Sequence, residues 1–308
     1  MVAHLEYTRP RNRDYGAVQL AGEGWDMLQA VIRGGRQSAH VCGAWTRERF
    51  SSHVGVSGGA RTAVSTIGRA AMAHAYEVVQ MAAIAATLPV QLVHPNGGGF
   101  GAEPPASPGK PHTASMRRPV LLVHGLGGGK SSWSLVARTL RARGLFVDAI
   151  TYGPFGTSVE QLADRLVVEV ERILAETGAD KIHLLGHSLG GVVIAQAIAG
   201  GRLNGRVDTV VTVASPFGGS PWANLFPFGA IVRALRQDSP LLRRLASAPA
   251  PDCVRWLAFT AALDMIVPSL RAVPVHARVE TVTVSGVGHL GMLLNKQAVG
   301  RIADALPA

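Results

Sequence analysis

The sequence predicts an α/β domain, a mainly parallel central sheet with helices on both faces, preceded by a helical N-terminal extension. Three observations carry this reading. From Arg117 onward, short apolar runs alternate with helical patterns, as they do when crossover helices link parallel strands. Residues 94–116 hold Asn96-Gly97-Gly98-Gly99 and then Pro104, Pro105, Pro108 and Pro111, a density of Gly and Pro that sustains neither a ladder nor a helix and reads as a linker. Hydrophobic residues make up 47% of the 308 positions and charged ones 16%, enough apolar material for a sizeable core.

Residues 1–93 read as helices and irregular connections. Asp26 to Ile32 suggests a short helix and Ala60 to Leu88 a long Ala-rich one stopped by Pro89. In the long helix Val64, Ile67, Ala71, Ala75, Val78, Val79 and Ala82 recur at three- and four-residue steps, an amphipathic face suited to packing on a neighbouring domain or a membrane surface. Within 117–308 the expected strands are Val120–Val123, Leu145–Thr151, Lys181–Leu185, Val207–Ala214, Arg255–Ala261 and Glu280–Val284. The expected helices are Ser131–Arg143, Ser158–Glu176 with Ser158 as N-cap and Gly178 as stop, Gly190–Ala199 and Lys296–Ala305. Residues 217–251 read as an irregular stretch, within which Ile231 to Leu245 suggests an amphipathic helix.

Composition narrows the function. The net charge of +10 comes from 26 Arg and 4 Lys against 20 acids, scattered rather than gathered in a stripe; Arg9-Pro10-Arg11-Asn12-Arg13 is the one local cluster. Nucleic-acid binding is therefore not expected, whereas loose attraction to anionic lipid, a peripheral membrane contact, is compatible with the charge. Met1 to Asp14 lacks the apolar core of a standard secretory signal, and the apolar stretch Val78–Val93 is too short to span a bilayer, so a cytoplasmic or membrane-associated location is expected. Cys42 and Cys253 match no zinc spacing and read as two buried thiols. No metal site is expected.

Chemistry concentrates in four places. Gly186-His187-Ser188-Leu189-Gly190 fits G-x-S-x-G, in which a serine occupies a tight, strained strand-to-helix turn flanked by small residues. Chance alone supplies about 0.24 such matches in a chain this rich in Gly and Ser, so context decides. Here an apolar strand runs in and an Ala/Val/Ile helix runs out. After the first strand, His124-Gly125-Leu126-Gly127-Gly128 is a glycine loop whose backbone can approach a ligand; Leu126 and Leu189 N–H groups would form an oxyanion hole.

A serine nucleophile needs an imidazole base, and the base a carboxylate, in the chain order Ser, acid, His. Of the downstream histidines, His289 follows a strand through the flexible Ser285-Gly286-Val287-Gly288 and His276 precedes it, which favours His289. Among Asp208, Asp238, Asp252, Asp264 and Glu280, Asp264 is the one just beyond a strand's C-terminal end, where sites of open parallel sheets collect.

Together with Asp264-Met265-Ile266-Val267 and Gly286-Val287-Gly288-His289-Leu290-Gly291, these segments make residues 117–305 resemble the α/β-hydrolase lipases, in particular small bacterial lipases of the minimal Bacillus lipase A type. The resemblance implies a six-stranded, mainly parallel sheet, a serine esterase or lipase and no cofactor, with Ser188 as nucleophile, Asp264 as acid and His289 as base. The minimal type lacks the first 116 or so residues and most of Phe217–Pro251. Phe217, Trp222, Phe226 and Phe228 put four of the chain's 17 aromatics into 12 positions of that insertion, an expected acyl-pocket wall or lid, or else a packed insertion. The expected activity is hydrolysis of small-molecule or lipid esters with apolar acyl chains. Acyl transfer or thioester hydrolysis by the same triad is the alternative, and a non-catalytic binding protein the reading from another class.

Overall fold

The computed structural model describes residues 118–307, apart from 154–156, 225–228, 250–252 and 276–277. The expected extension (1–93), the linker (94–116), Cys42, Phe226, Phe228, Asp252 and His276 lie outside the described residues.

Six strands are formed: β1 (Val120–Val123), β2 (Val147–Ala149), β3 (Ile182–His187), β4 (Val207–Val213), β5 (Arg255–Ala261) and β6 (Val279–Val284). They pair in the order β2-β1-β3-β4-β5-β6, every neighbour parallel. Successive side chains of a strand point to opposite faces, and both faces are apolar. Leu121, Val123, Leu184 and Val210 join one buried cluster with helices α2 (Val159–Thr177) and α3 (Leu189–Ala199). Val120, Leu122, Leu185, Val211 and Phe259 join the other with α1 (Ser134–Ala142) and α7 (Lys296–Asp304). Burial on both sides is why β1, β3, β4 and β5 read as largely apolar runs rather than alternating ones, whereas the edge strand β6 is mostly exposed.

The strand order reverses between β1 and β3, so the crevice beyond their C-terminal ends is the topological switch point, where open α/β sheets bind ligands. The loop after β1 carries Leu126 and the turn after β3 carries Ser188.

Most expected boundaries hold within a few residues. α2 is capped as anticipated: the Ser158 hydroxyl accepts from Gln161 N–H, the Gln161 side chain accepts from Ser158 N–H at 2.9 Å, and Gly178 closes the helix at φ +70°. Helix Ser131–Arg143 instead starts with a 3₁₀ turn, Lys130–Trp133, and strand Leu145–Thr151 shortens to β2.

Two expectations fail. The single amphipathic helix Ile231–Leu245 is two, α4 (Ala230–Ala234) and α5 (Pro240–Ser247). The break is local in origin: Asp238 takes φ +57°, Ser239 caps α5 through Leu242 N–H, and Pro240 supplies its first turn, where a missing N–H costs nothing. Ile231, Leu241 and Leu242 are buried against the α2–α3 face while Arg233, Arg243 and Arg244 point outward. Cys253 is exposed and free, not a buried thiol, because it stands in the turn that precedes β5 rather than in the strand.

Candidate active site

Ser188 sits between the end of β3 and the start of α3 with φ +54° and ψ −124°. A non-glycine residue in that region stores roughly 1–3 kcal/mol of strain, and the surroundings hold it there. Its N–H donates to the Val213 carbonyl across the sheet, and its own carbonyl accepts from Gly191 N–H. The flanking glycines are required by contact. A Cβ on Gly186 would lie 2.6 Å from the Gly191 nitrogen, one on Gly190 2.0 Å from the Val123 carbonyl oxygen, and one on Gly191 2.1 Å from Ser215 Oγ. Their absence lets α3 press its N-terminus onto β1 and β4. Leu189 opens α3, so its N–H belongs to the first turn, whose N–H groups have no acceptor within the helix.

Leu126 lies in the loop beyond β1. Gly125 passes so close to the elbow that a Cβ there would meet Ser188 Cβ at 2.9 Å. The loop is clasped from beneath by two residues. His124 Nδ1–H donates to the Gly125 carbonyl at 2.8 Å, its Nε2 accepts from Tyr152 N–H, and the Tyr152 hydroxyl donates to the His124 carbonyl. The two rings stack with centroids 3.9 Å apart. Burial lowers the His124 pKa and raises that of Tyr152, so both are neutral.

Asp264 follows β5 and His289 follows β6, and the structure brings them together. His289 Nδ1–H donates to Asp264 Oδ2 at 2.9 Å, with both residues buried. Asp264 Oδ1 accepts from the N–H groups of Ile266 at 2.9 Å and Val267 at 2.7 Å, so the Asp264-Met265-Ile266-Val267 stretch is a turn folded around its own carboxylate. With Nδ1 protonated, Nε2 of His289 is an acceptor. The rival acids are occupied elsewhere: Asp208 at the start of β4 pairs with Arg118 at 2.7 Å, and Glu280 pairs with Arg255, which holds its carboxyl below the usual range. Asp238 lies in the turn between α4 and α5.

The insertion reaches this site by its first residues. Trp222 Nε1–H donates to the Met265 carbonyl at 2.9 Å and Ser220 Oγ–H to the Ile266 carbonyl at 2.6 Å, tying the expected pocket segment to the acid's turn. Phe217 instead packs edge-on against Trp256, in an apolar cleft with Ile198, Leu242 and Leu245 that contains none of Ser188, Asp264 or His289.

Sequence reasoning assigned no role to Tyr152, nor to the histidines within the two glycine motifs. His187, just before Ser188, is buried; burial, and then the neighbouring His289, push its pKa down to about 3. His183, also buried, is lowered by desolvation against the opposing pull of Asp208. In the unfolded chain each titrates near 6.5, so the unfolded state binds more protons below that pH. Their contribution to stability is therefore complete above about pH 6.5 and declines as pH falls, for His187 by about 1.4 kcal/mol per pH unit down to about pH 3, with His183 adding a loss of the same sign. Urea unfolding between pH 7 and pH 4.5 should show this slope, and His187→Gln should remove one proton's share of it; an unchanged slope would contradict the buried neutral state.

Residues 120–258 match the model of the alpha/beta hydrolase family. The described domain has the α/β-hydrolase fold. The mature form of the Bacillus licheniformis lipase BlEst2 has the same fold, with a TM-score of 0.55 and 18% identity, over 64% of this chain and 95% of that one. A triacylglycerol lipase of Pseudarthrobacter phenanthrenivorans is 31% identical over 119 residues, 36% of this chain and 37% of that protein. A 1-acylglycerol-3-phosphate O-acyltransferase, ABHD5 of Sus scrofa, is 34% identical over 91 residues, 27% of this chain and 26% of its own. The chain thus spans only 26–37% of the length of these relatives. Among the described residues no group of His, Cys, Asp or Glu is arranged to hold a metal ion, and no helix is long and apolar enough to cross a membrane.

Proposed function

We propose that the hydrolase domain is a serine carboxylester hydrolase of lipase type, acting on esters with apolar acyl chains. The observation that carries this is the buried Asp264–His289 pair, on the same sheet edge as a serine held at positive φ on a helix N-terminus. The Ser188 hydroxyl adds to the ester carbonyl carbon while His289 Nε2 takes its proton, and Asp264 stabilises the imidazolium. The N–H groups of Leu126 and Leu189 receive the developing oxyanion, each worth roughly 3 kcal/mol if it acts as oxyanion donors commonly do. Collapse breaks the bond to the alkoxy group, which departs as alcohol with the proton from His289. A water then gives its proton to His289 and adds to the acyl-enzyme; the acid leaves and Ser188 regains its proton.

Exposed leucines in segments that follow three strands, Leu126 in the turn after β1, Leu270 in the 3₁₀ turn Ser269–Arg271 after β5 and Leu294 at the end of the short helix α6 (Gly291–Leu294) after β6, support an apolar substrate or a lipid surface as partner. The test is a fluorophosphonate probe on the purified chain, with the adduct located by peptide mass spectrometry, alongside a p-nitrophenyl ester series of rising acyl length. Labelling at Ser188 and a rate that rises with chain length beyond acetate are expected. No adduct at Ser188 would refute the assignment, and a preference for acetate would refute the apolar substrate class.

The similarity to an acylglycerol-phosphate acyltransferase favours a second reading, transfer of the acyl group to an alcohol by the same acyl-enzyme. Product analysis in water–alcohol mixtures separates the two: ester formed in excess over acid at low alcohol indicates transfer.

A further inference from the structure

We propose that His187 is a positioning residue for His289: its Nε2–H pins the main chain of the base to the strand end that presents the nucleophile. The inference rests on the serine-hydrolase reading above and extends it to a residue that takes no part in the proton transfers.

His289 stands at the end of a loop, Ser285-Gly286-Val287-Gly288, in which Gly286 has φ +74° and Val287 is tied to Leu263 N–H by its carbonyl. Such a loop holds a side chain in place only if both ends of the residue are anchored. Asp264 anchors the ring through Nδ1. The main chain is anchored separately, because His187 Nε2 lies 3.1 Å from the His289 carbonyl oxygen, which makes Nε2 the protonated nitrogen of His187. The two rings lie 4.8 Å apart at 52°.

His187 is itself well placed to serve as an anchor. It is the last residue of β3, buried, with the Trp133 ring edge-on at 6.4 Å. On its other side Gly125 leaves room for it; a Cβ there would come within 3.2 Å of His187 Nδ1. One hydrogen bond therefore couples the loop of the base to the residue that precedes Ser188. Neutrality matters to this role. Burial keeps His187 uncharged, so it donates a hydrogen bond without opposing the positive charge that His289 takes up in each half-reaction.

The test compares two amides that differ by one methylene. In His187→Gln the side-chain N–H₂ reaches about as far as Nε2 of the imidazole, whereas in His187→Asn it falls short. On a p-nitrophenyl ester, the Asn variant should lose about ten- to hundredfold in kcat, the scale of a misplaced catalytic group, with KM within about twofold. The Gln variant should stay within about threefold of wild type, and both should keep a cooperative thermal transition. His187→Leu, which fills the buried site without a donor, carries the same expectation as Asn and replaces it if the Asn variant does not fold. Equal kcat for the Gln variant and for the Asn and Leu variants, whether all active or all impaired, overturns the inference. A wild-type chain inert to both ester and fluorophosphonate overturns the hydrolase reading instead.

Discussion

Replacing Ser188 by Ala should lower p-nitrophenyl ester turnover by about 10⁴- to 10⁶-fold, the range seen when a triad nucleophile is removed and only oxyanion stabilisation and binding remain. The substitution removes one oxygen and keeps Cβ, so the close approach of Gly125 to Ser188 Cβ survives. The backbone at φ +54° is imposed by neighbours, through the Ser188 N–H bond to Val213 and the tight seating of Gly186, Gly190 and Gly191, none of which depends on the hydroxyl. The thermal midpoint should therefore move by no more than a few degrees while turnover collapses. Activity within tenfold of wild type, with the substitution confirmed by mass, would show that the chemistry lies elsewhere.

Asp264→Asn should cost about 10⁴-fold in kcat at neutral pH, for a different reason. Asp264 uses its two oxygens separately: Oδ1 accepts from Ile266 and Val267 N–H, and Oδ2 from His289 Nδ1–H. An asparagine keeps its oxygen on the two backbone donors, so the turn survives, and thereby directs its N–H₂ at His289. The imidazole must then accept at Nδ1 and carry its proton on Nε2, the tautomer that cannot remove a proton from Ser188. Pre-steady-state acylation by a chromogenic ester, measured with thermal unfolding, checks both halves. A loss below tenfold in a folded variant would mean that the carboxylate does not set the tautomer.

Much of the hydrolase domain was legible in its sequence because the signals are local. The strands β1, β3, β4 and β5 are short apolar runs, α2 carries its own cap in Ser158 and Gln161 and its own stop in Gly178, and chain order with strand-edge position singled out Asp264 and His289. The reading of Ile231–Leu245 as one helix went wrong where local chemistry was present but outweighed by apolar periodicity: Asp238, Ser239 and Pro240 break the helix in sequence as they do in space. Cys253 went wrong because a cysteine's burial depends on which side of a strand boundary it falls.

The sequence by itself determined the alternation of strands and helices, the glycine-flanked serine of a strand-to-helix turn and the choice of Asp264 and His289 as a pair, since each is written in residues close along the chain or in their order. Tertiary structure alone decided that β1 lies between β2 and β3, and so that Tyr152 clasps His124 beneath the glycine loop after β1 and that His187 meets the His289 backbone. Those contacts join residues 28 and 102 positions apart. No periodicity spans such distances; a hydrogen bond between them exists only once the strand order has been chosen by the burial of both faces of the sheet.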